Sequence, residues 1–384
     1  MGDSPTPSRQ SLEPAPQCFP EAEAVVHGGD VWQIAERLGI PASDLLDFSA
    51  NINPRGLPHR ARQVLARDAG DPQLPGRYPD PNASRLRDGL SKQLGVSRDA
   101  IVVGPGAEAL LTPIMRCVGA NRALVPIPSF SEYRRVCSRE RIEFIPFPLD
   151  RGESFQVSVD RFCARIEAVT PGLVLLNNPH NPSGALLQAK EVRRIAETAI
   201  SVGATLVLDE AFIDYAPEAT LIREAAEKLS LIVIRSLTKF YGCPALRVGY
   251  AVAHPDAIRS IRSYLPTWPV TQFALDALSE AVTDVEFAET SLRENATERE
   301  RLASALAALG LVVFSSAANY LLLELRDNMP SASELRERLI AAHRIAIRNC
   351  DSYEGLAHGR FVRVAVRSAA DNDRLIGALQ RELT

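Results

Sequence analysis

Lysine is scarce in this chain. Of its 43 basic residues only four are lysines, Lys92, Lys190, Lys228 and Lys239, so any chemistry that needs a primary amine has four candidates. Cysteine is sparse too. Cys18, Cys117, Cys137, Cys163, Cys243 and Cys350 are widely scattered, with no C-x-x-C pair. That spacing suggests neither a metal site nor a dense disulfide framework, and fits the reduced thiols of a cytoplasmic enzyme. No apolar run is long enough to cross a membrane. No block of like charge occurs and the net charge is −4, so nothing points to nucleic acid or a charged membrane surface as a partner. Internal repeats are absent. Met1 to Pro20 is rich in Pro, Ser and Gln and lacks an apolar core segment. It reads as a disordered tail, not a signal peptide.

What is present is a chain of 384 residues with 46% hydrophobic and 23% charged residues, a normal composition for a globular protein of two domains. Short apolar runs alternate with helical patterns between about Asp99 and Val252. The runs are Ile101 to Val103, Ala123 to Pro126, Val174 to Leu176, Thr205 to Leu208 and Leu231 to Ile234. Helical stretches include Glu108 to Val118, Ser131 to Arg141 and Glu191 to Ser201. Continuous apolar strands separated by helices predict an α/β fold with a mostly parallel sheet covered on both faces. One long helical region is expected over 271–309. Strands near 311–314, 319–325, 345–348 and 361–366, with helices at 332–342 and the C-terminus, predict a smaller α+β domain. The expected division is a tail at 1–20, an N-terminal arm at 21–50 that joins the small domain and the substrate site, a large domain at 51–275 and a small domain at 276–384.

Several strand ends carry polar residues. Gly104-Pro105-Gly106-Ala107-Glu108 is a strand-to-helix turn whose free N–H groups and helix dipole suit a phosphate. Phe130 follows the next strand and could lie flat on a ring; a core aromatic is the plainer alternative. Asn177-Asn178-Pro179-His180-Asn181-Pro182-Ser183-Gly184 offers a side-chain amide held between prolines, or simply a polar turn. His180 reads as incidental. Asp209 ends an apolar strand, where a buried carboxylate needs a partner such as a pyridinium N–H, or caps the following helix. Lys239 is the one lysine that follows a buried-looking strand; Lys190 and Lys228 read as solvated and Lys92 lies in a polar helical stretch. Ser236, Thr238 and Arg247 supply two hydroxyls and a guanidinium suited to a phosphate dianion. An Asp for a pyridine nitrogen and a Lys for an aldehyde are the two groups that pyridoxal 5′-phosphate (PLP) most needs from a protein.

In this order the segments resemble the fold-type I PLP enzymes, in the branch of the histidinol-phosphate aminotransferases and the threonine-phosphate decarboxylases of cobalamin biosynthesis. The resemblance covers nearly the whole chain after the tail. It is carried by His27-Gly28-Gly29-Asp30, by Asp47 to Pro54, by Arg77-Tyr78-Pro79-Asp80, by Asp209 to Asp214, by Arg235 to Tyr241, by Ala318 to Leu323 and by Arg363 to Ser368. The early His-Gly-Gly and Phe212, where related aminotransferases usually carry Tyr, look like the decarboxylases. Asp30, His180 and Ser183 depart from the usual Asn, Asn and Thr.

The resemblance implies the fold-type I PLP-dependent transferase fold. It implies that Asn181 contacts the cofactor's phenolic oxygen, Asp209 its pyridine nitrogen and Lys239 its aldehyde. Ser236, Thr238, Arg247 and the amides of Gly106 and Ala107 would hold the phosphate, with Phe130 on the ring and Tyr78 reaching the cofactor of the other subunit of a homodimer. His27, Gly28, Asn51, Asn181, Arg348 and Arg363 would line the site of a phosphorylated amino acid. The expected reaction is decarboxylation of L-threonine O-3-phosphate; the rivals are decarboxylation of L-serine phosphate, amino transfer of the histidinol-phosphate type, and a non-catalytic PLP-fold sensor. The last usually carries a DNA-binding helix-turn-helix, for which the N-terminal tail has no basic helix.

Overall fold

The computed structural model describes residues 28–383. In chain order the strands are β1 (Leu46–Asp47), β2 (Ile101–Gly104), β3 (Arg122–Ile127), β4 (Glu143–Pro148), β5 (Leu173–Asn177), β6 (Thr205–Asp209), β7 (Leu231–Ser236), β8 (Gly249–Val252), β9 (Val312–Val313), β10 (Tyr320–Glu324), β11 (Ile345–Ala346), β12 (Arg348–Asn349) and β13 (Phe361–Ala365). Seven of them form one sheet in the order β2-β8-β7-β6-β5-β3-β4. All its neighbouring pairs are parallel except those that β8 makes with β7 and β2. The apolar runs are continuous because both faces are covered. Val174, Leu176, Leu206, Leu208 and Val233 join the core on one side, and Leu173, Leu175, Val207, Ile232 and Ile234 that on the other.

The helix Ala189–Ser201 shows how the chain covers this sheet. Glu191 accepts the backbone N–H of Gln188 at 2.7 Å, closing the first turn, and Val192, Ile195, Ala196 and Ala199 form its buried stripe. Strand β4 is not legible as a continuous apolar run. β4 carries prolines at positions 146 and 148 and alternates buried with exposed residues, as an edge strand can.

A second, antiparallel sheet has the order β12-β13-β10-β9. Its residues Leu321, Leu323, Val362 and Val364 pack against Leu302, Leu306, Leu335, Leu339, Leu375 and Leu379 of three helices. The alternate residues, Leu322 and Phe361 among them, join the core of the large sheet. Arg363 therefore stands on the face turned toward that sheet.

Two expectations need correction. The helical region over 271–309 is two helices, Gln272–Ala281 and Val285–Ala308, because Asp284 caps the second by accepting the N–H of Phe287 at 3.0 Å. The strand over 345–348 is two strands: β11 pairs in parallel with β1, and β12 pairs with β13. Periodicity cannot show that adjacent residues change partners.

Candidate active site

Strand register brings the polar strand ends together. Asn177 is paired with Asp209, and Gly249 with both Gly104 and Ser236. Four parallel strand ends and the start of antiparallel β8 thus meet at one edge, where α/β sheets bind their ligands. A cavity of about 410 Å³ lies there. It is lined by Gly28, Asn51, Gly106, Ala107, Phe130, Asn181, Asp209, Ser236, Thr238, Lys239, Arg247, Arg348 and Arg363. Of the other expected residues, His27 lies outside the described residues, and one, Tyr78, is described and is not in it. Tyr78 is 78% exposed and stacks on Trp268 with ring centroids 4.2 Å apart, so within one chain it touches nothing in the cavity.

Lys239 sits in the short helix Leu237–Phe240 directly after β7. Burial pushes its amine down to about 8, with the positive charges of Arg363 and Arg247 adding to the effect. Lys92 and Lys190 are exposed and Lys228 is half-buried, so Lys239 alone combines a cavity position with a depressed pKa.

Asp209 is buried, and desolvation raises its pKa. Its Oδ2 accepts the hydroxyl of Tyr133 at 2.5 Å and its Oδ1 the N–H of Ala211 at 2.9 Å. The local cap and the site role thus belong to the same carboxylate. Asn177 donates its side-chain N–H to the backbone carbonyl of Asp209 at 2.8 Å and accepts the N–H of Asn181 at 2.6 Å. Asn181 Oδ1 accepts from the Tyr353 hydroxyl at 3.1 Å and from Arg363 Nη1. With its oxygen occupied, the amide turns its NH₂ end to the cavity.

His180 is a framework residue. Its ring nitrogens meet Ser183 Oγ at 2.7 Å and the Pro128 carbonyl at 2.8 Å, and burial pushes its pKa down to about 4. Nε2 donates to the carbonyl, so Nδ1 accepts from the hydroxyl. The pair of departures from the usual Asn and Thr is thus a matched hydrogen-bonded couple.

The phosphate-binding candidates are close together. Ser236 and Thr238 hydroxyls are 2.7 Å apart. A Cβ on Gly249 would stand 2.4 Å from the Ala107 nitrogen, so only glycine lets the Gly106-Ala107 turn sit here. Arg247, exposed overall, brings Nη2 to 3.1 Å from where a Gly106 Cβ would be. Arg348 and Arg363 are only 4% and 6% exposed. Arg348 donates to Ser352 Oγ at 2.7 Å; Arg363 donates to the Ser49 carbonyl at 3.2 Å, and its Nε has no partner, nor has Asn51 Oδ1. Buried cations and an orphaned donor of this kind suit an anionic ligand.

Tyr133, Tyr353, Asn177 and Ser49 were not singled out from sequence. The signal for Tyr133 is its spacing, one helical turn beyond Phe130; the rings meet edge-on with centroids 5.6 Å apart. Tyr353 follows no pattern that marks it.

The model of the family "Aminotransferase class I and II" matches residues 43–379. The chain therefore belongs to the aminotransferase class I and II family, whose cofactor is pyridoxal 5′-phosphate. It is 36% identical to the threonine-phosphate decarboxylase of Salmonella typhimurium, over 93% of this chain and 96% of that protein. It is 32% identical to the adenosylcobalamin biosynthesis bifunctional protein CobDQ of Leptospira interrogans over 92% of this chain, but spans only 40% of that protein's length. It is 28% identical to the histidinol-phosphate aminotransferase of Methanocaldococcus jannaschii, over 92% of this chain and 94% of that one. Among solved structures, the L-threonine-O-3-phosphate decarboxylase of Porphyromonas gingivalis superposes with a TM-score of 0.77 at 26% identity, covering 88% of this chain and 99% of that one. The histidinol-phosphate aminotransferase of Sinorhizobium meliloti in complex with pyridoxal-5′-phosphate shares the fold, with a TM-score of 0.84 at 23% identity over 96% of this chain and 98% of that one. No helix among the described residues is long and apolar enough to cross a membrane.

Proposed function

We propose that this protein decarboxylates L-threonine O-3-phosphate to (R)-1-amino-2-propanol O-2-phosphate and CO₂, in the making of cobalamin. The observation that carries the reading is the pair Arg348 and Arg363, two buried guanidinium groups in one cavity with Lys239. A substrate with anionic groups at both ends matches them, and one such end is a phosphate. The threonine-phosphate decarboxylase relative supports the same choice.

The cavity residues fit the cofactor as follows. Lys239 is positioned for its aldehyde, Asp209 for its pyridine nitrogen, Asn181 for its phenolic oxygen and Phe130 for its ring face. Gly106, Ala107, Ser236, Thr238 and Arg247 surround a space suited to its phosphate. When bound, PLP supplies an electron sink for the pair left on Cα as CO₂ departs.

The protein's own part is positioning and proton handling. Arg363, beside Asn181, takes the substrate carboxylate. Arg348, anchored by Ser352, takes the phosphate, and His27, Gly28 and Asn51 are proposed as further substrate contacts. Holding both ends selects which Cα bond is cleaved, and orientation of this kind is a large source of rate. Lys239, whose amine is pushed down to about 8 by burial and so gives up a proton more readily than an ordinary lysine, or a water is our candidate for carrying a proton to Cα. Phe212, packed edge-on against Tyr320 with centroids 5.0 Å apart, offers no hydroxyl to the cofactor.

We further propose a homodimer in which Tyr78 reaches the phosphate of the other subunit's cofactor. Its support is that Tyr78 is presented to solvent and has no role inside its own cavity.

Amino transfer to 2-oxoglutarate is the second reading, favoured by the likeness to histidinol-phosphate aminotransferases. Incubation of the holoenzyme with L-threonine phosphate decides between them. CO₂ release without consumption of an oxoacid is expected; oxoacid-dependent transfer without CO₂ would overturn the proposal. L-Serine phosphate is the control for the methyl group, which alone is worth only about 1–3 kcal/mol of discrimination.

A further inference from the structure

Tyr353 stands where three functional groups meet, although no motif of the sequence includes it. It lies in the loop between β12 and β13, which crosses from the C-terminal sheet to the large one. Gly355 of this loop packs on the Ile127-Pro128 backbone, with φ +90, and Glu354 pairs with Arg134 at 2.5 Å. Tyr353 is 6% exposed and lines the cavity. Its hydroxyl donates to Asn181 Oδ1 at 3.1 Å and accepts from Arg363 Nη1 at 3.0 Å. Its ring carries the guanidinium of Arg348 at 5.5 Å from the centroid.

We propose that Tyr353 is the positioning residue that ties the cofactor-facing amide of Asn181 to both anion-binding arginines. The inference rests on the assignments proposed above for Asn181, Arg348 and Arg363. A phenol has one proton and accepts through the same oxygen. Here the proton is spent on Asn181 and a lone pair receives Arg363. The amide's NH₂ end therefore cannot rotate away from the cavity without breaking the bond to Tyr353. The two N–H groups on Arg363 Nη1 are likewise taken by Asn181 and Tyr353, and one on Nη2 by the Ser49 carbonyl, so the second N–H of Nη2 and the unpartnered Nε are the donors left for an incoming carboxylate. The ring supports Arg348 from below by a cation–π contact. One side chain thus registers the cofactor against both ends of the substrate.

The test uses the PLP-loaded enzyme and two variants. A donor aimed at the cofactor's phenolic oxygen draws electron density from it, so the proton that oxygen shares leaves at lower pH. Tyr353→Phe keeps the ring and removes the hydroxyl. The pH midpoint of the bound cofactor's visible band should rise by about 0.5 to 1 unit, the equivalent of one hydrogen bond. KM for L-threonine phosphate should rise about fivefold to tenfold with kcat within about threefold. Tyr353→Leu also removes the ring, and only this variant should weaken competitive inhibition by inorganic phosphate, by about threefold to fivefold. An unshifted midpoint and unchanged KM in Tyr353→Phe would overturn the proposal. Equal phosphate inhibition in the two variants would remove Arg348 from it. If wild-type enzyme does not turn over L-threonine phosphate, the functional reading fails, whereas the midpoint shift still tests Tyr353 by itself.

Discussion

Tyr133 gives its hydroxyl proton to Asp209 Oδ2 at 2.5 Å, with both side chains buried beneath the cavity. The bond offsets part of the cost of burying the carboxylate and keeps it oriented. Without it, Asp209 would hold its proton to higher pH and pair less well with a pyridinium. Tyr133→Phe should lower PLP affinity about fivefold, the loss of one hydrogen bond of about 1 kcal/mol. Fluorescence or absorbance titration of the apoenzyme with PLP measures this; an unchanged Kd would show that Ala211 alone suffices to hold the carboxylate.

Lys239 has its amine pushed down to about 8, below the ordinary lysine value of 10.5. The neutral amine is the nucleophile, so capture of PLP by the apoenzyme should speed up with pH and level off above about 8. In unfolded chain the group holds its proton up to about 10.5. Between those pH values the unfolded state binds more protons, so this residue's contribution to stability rises with pH there. Stopped-flow absorbance across pH 6.5 to 10 tests the first statement. Lys239→Ala should abolish the band, and a rate plateau only near pH 10 would contradict the depressed value.

His180 is neutral in the fold, with its pKa pushed down to about 4 from an ordinary 6.5. As pH falls through that window the unfolded state takes up a proton that the folded one refuses. Stability should therefore drop between pH 6.5 and 4, by at most about 3 kcal/mol from this residue. His180→Asn, the residue more usual in the resembling family, should flatten that part of the melting-temperature profile. A profile equally steep in the variant would place the acid sensitivity elsewhere.

Gly28 has its Cα pressed against the Ser49 backbone, and a Cβ there would stand 2.2 Å from the Ser49 carbonyl oxygen. That carbonyl accepts from Arg363, and Ser49 Oγ holds the Gly29 N–H at 2.8 Å. Gly28→Ala should therefore displace the N-terminal arm from the substrate end of the cavity. KM for L-threonine phosphate should rise tenfold or more on the scale of a lost charged contact, about 1.5–3 kcal/mol, while PLP affinity stays within twofold. A parallel loss of PLP affinity would mean that the arm supports the whole cavity rather than its substrate end.

Much of this was legible without coordinates. The helices Ala107–Val118 and Ala189–Ser201 fall where the helical patterns over Glu108 to Val118 and Glu191 to Ser201 placed them, because one-sided burial at a period of 3.6 leaves a direct trace in the residues. The five continuous apolar runs are five strands of the large sheet for a similar reason: burial on both faces admits no polar residue except at the ends. That made Asp209 and Lys239 conspicuous. β4, with its prolines and exposed alternate residues, left no such trace, and the change of partner between β11 and β12 is invisible to any local pattern.

By itself the sequence determined the kind of chemistry. One lysine of four follows a buried strand, one aspartate ends another, and few cofactors use both. Tertiary structure decided which atoms are free to act. Asn181 presents its NH₂ because Tyr353 and Arg363, far along the chain, occupy its oxygen; Asp209 is oriented by Tyr133; and Tyr78 is turned away from its own cavity. The physical reason is that hydrogen-bond saturation depends on partners brought together by sheet register and packing, across separations that no spacing in the sequence encodes.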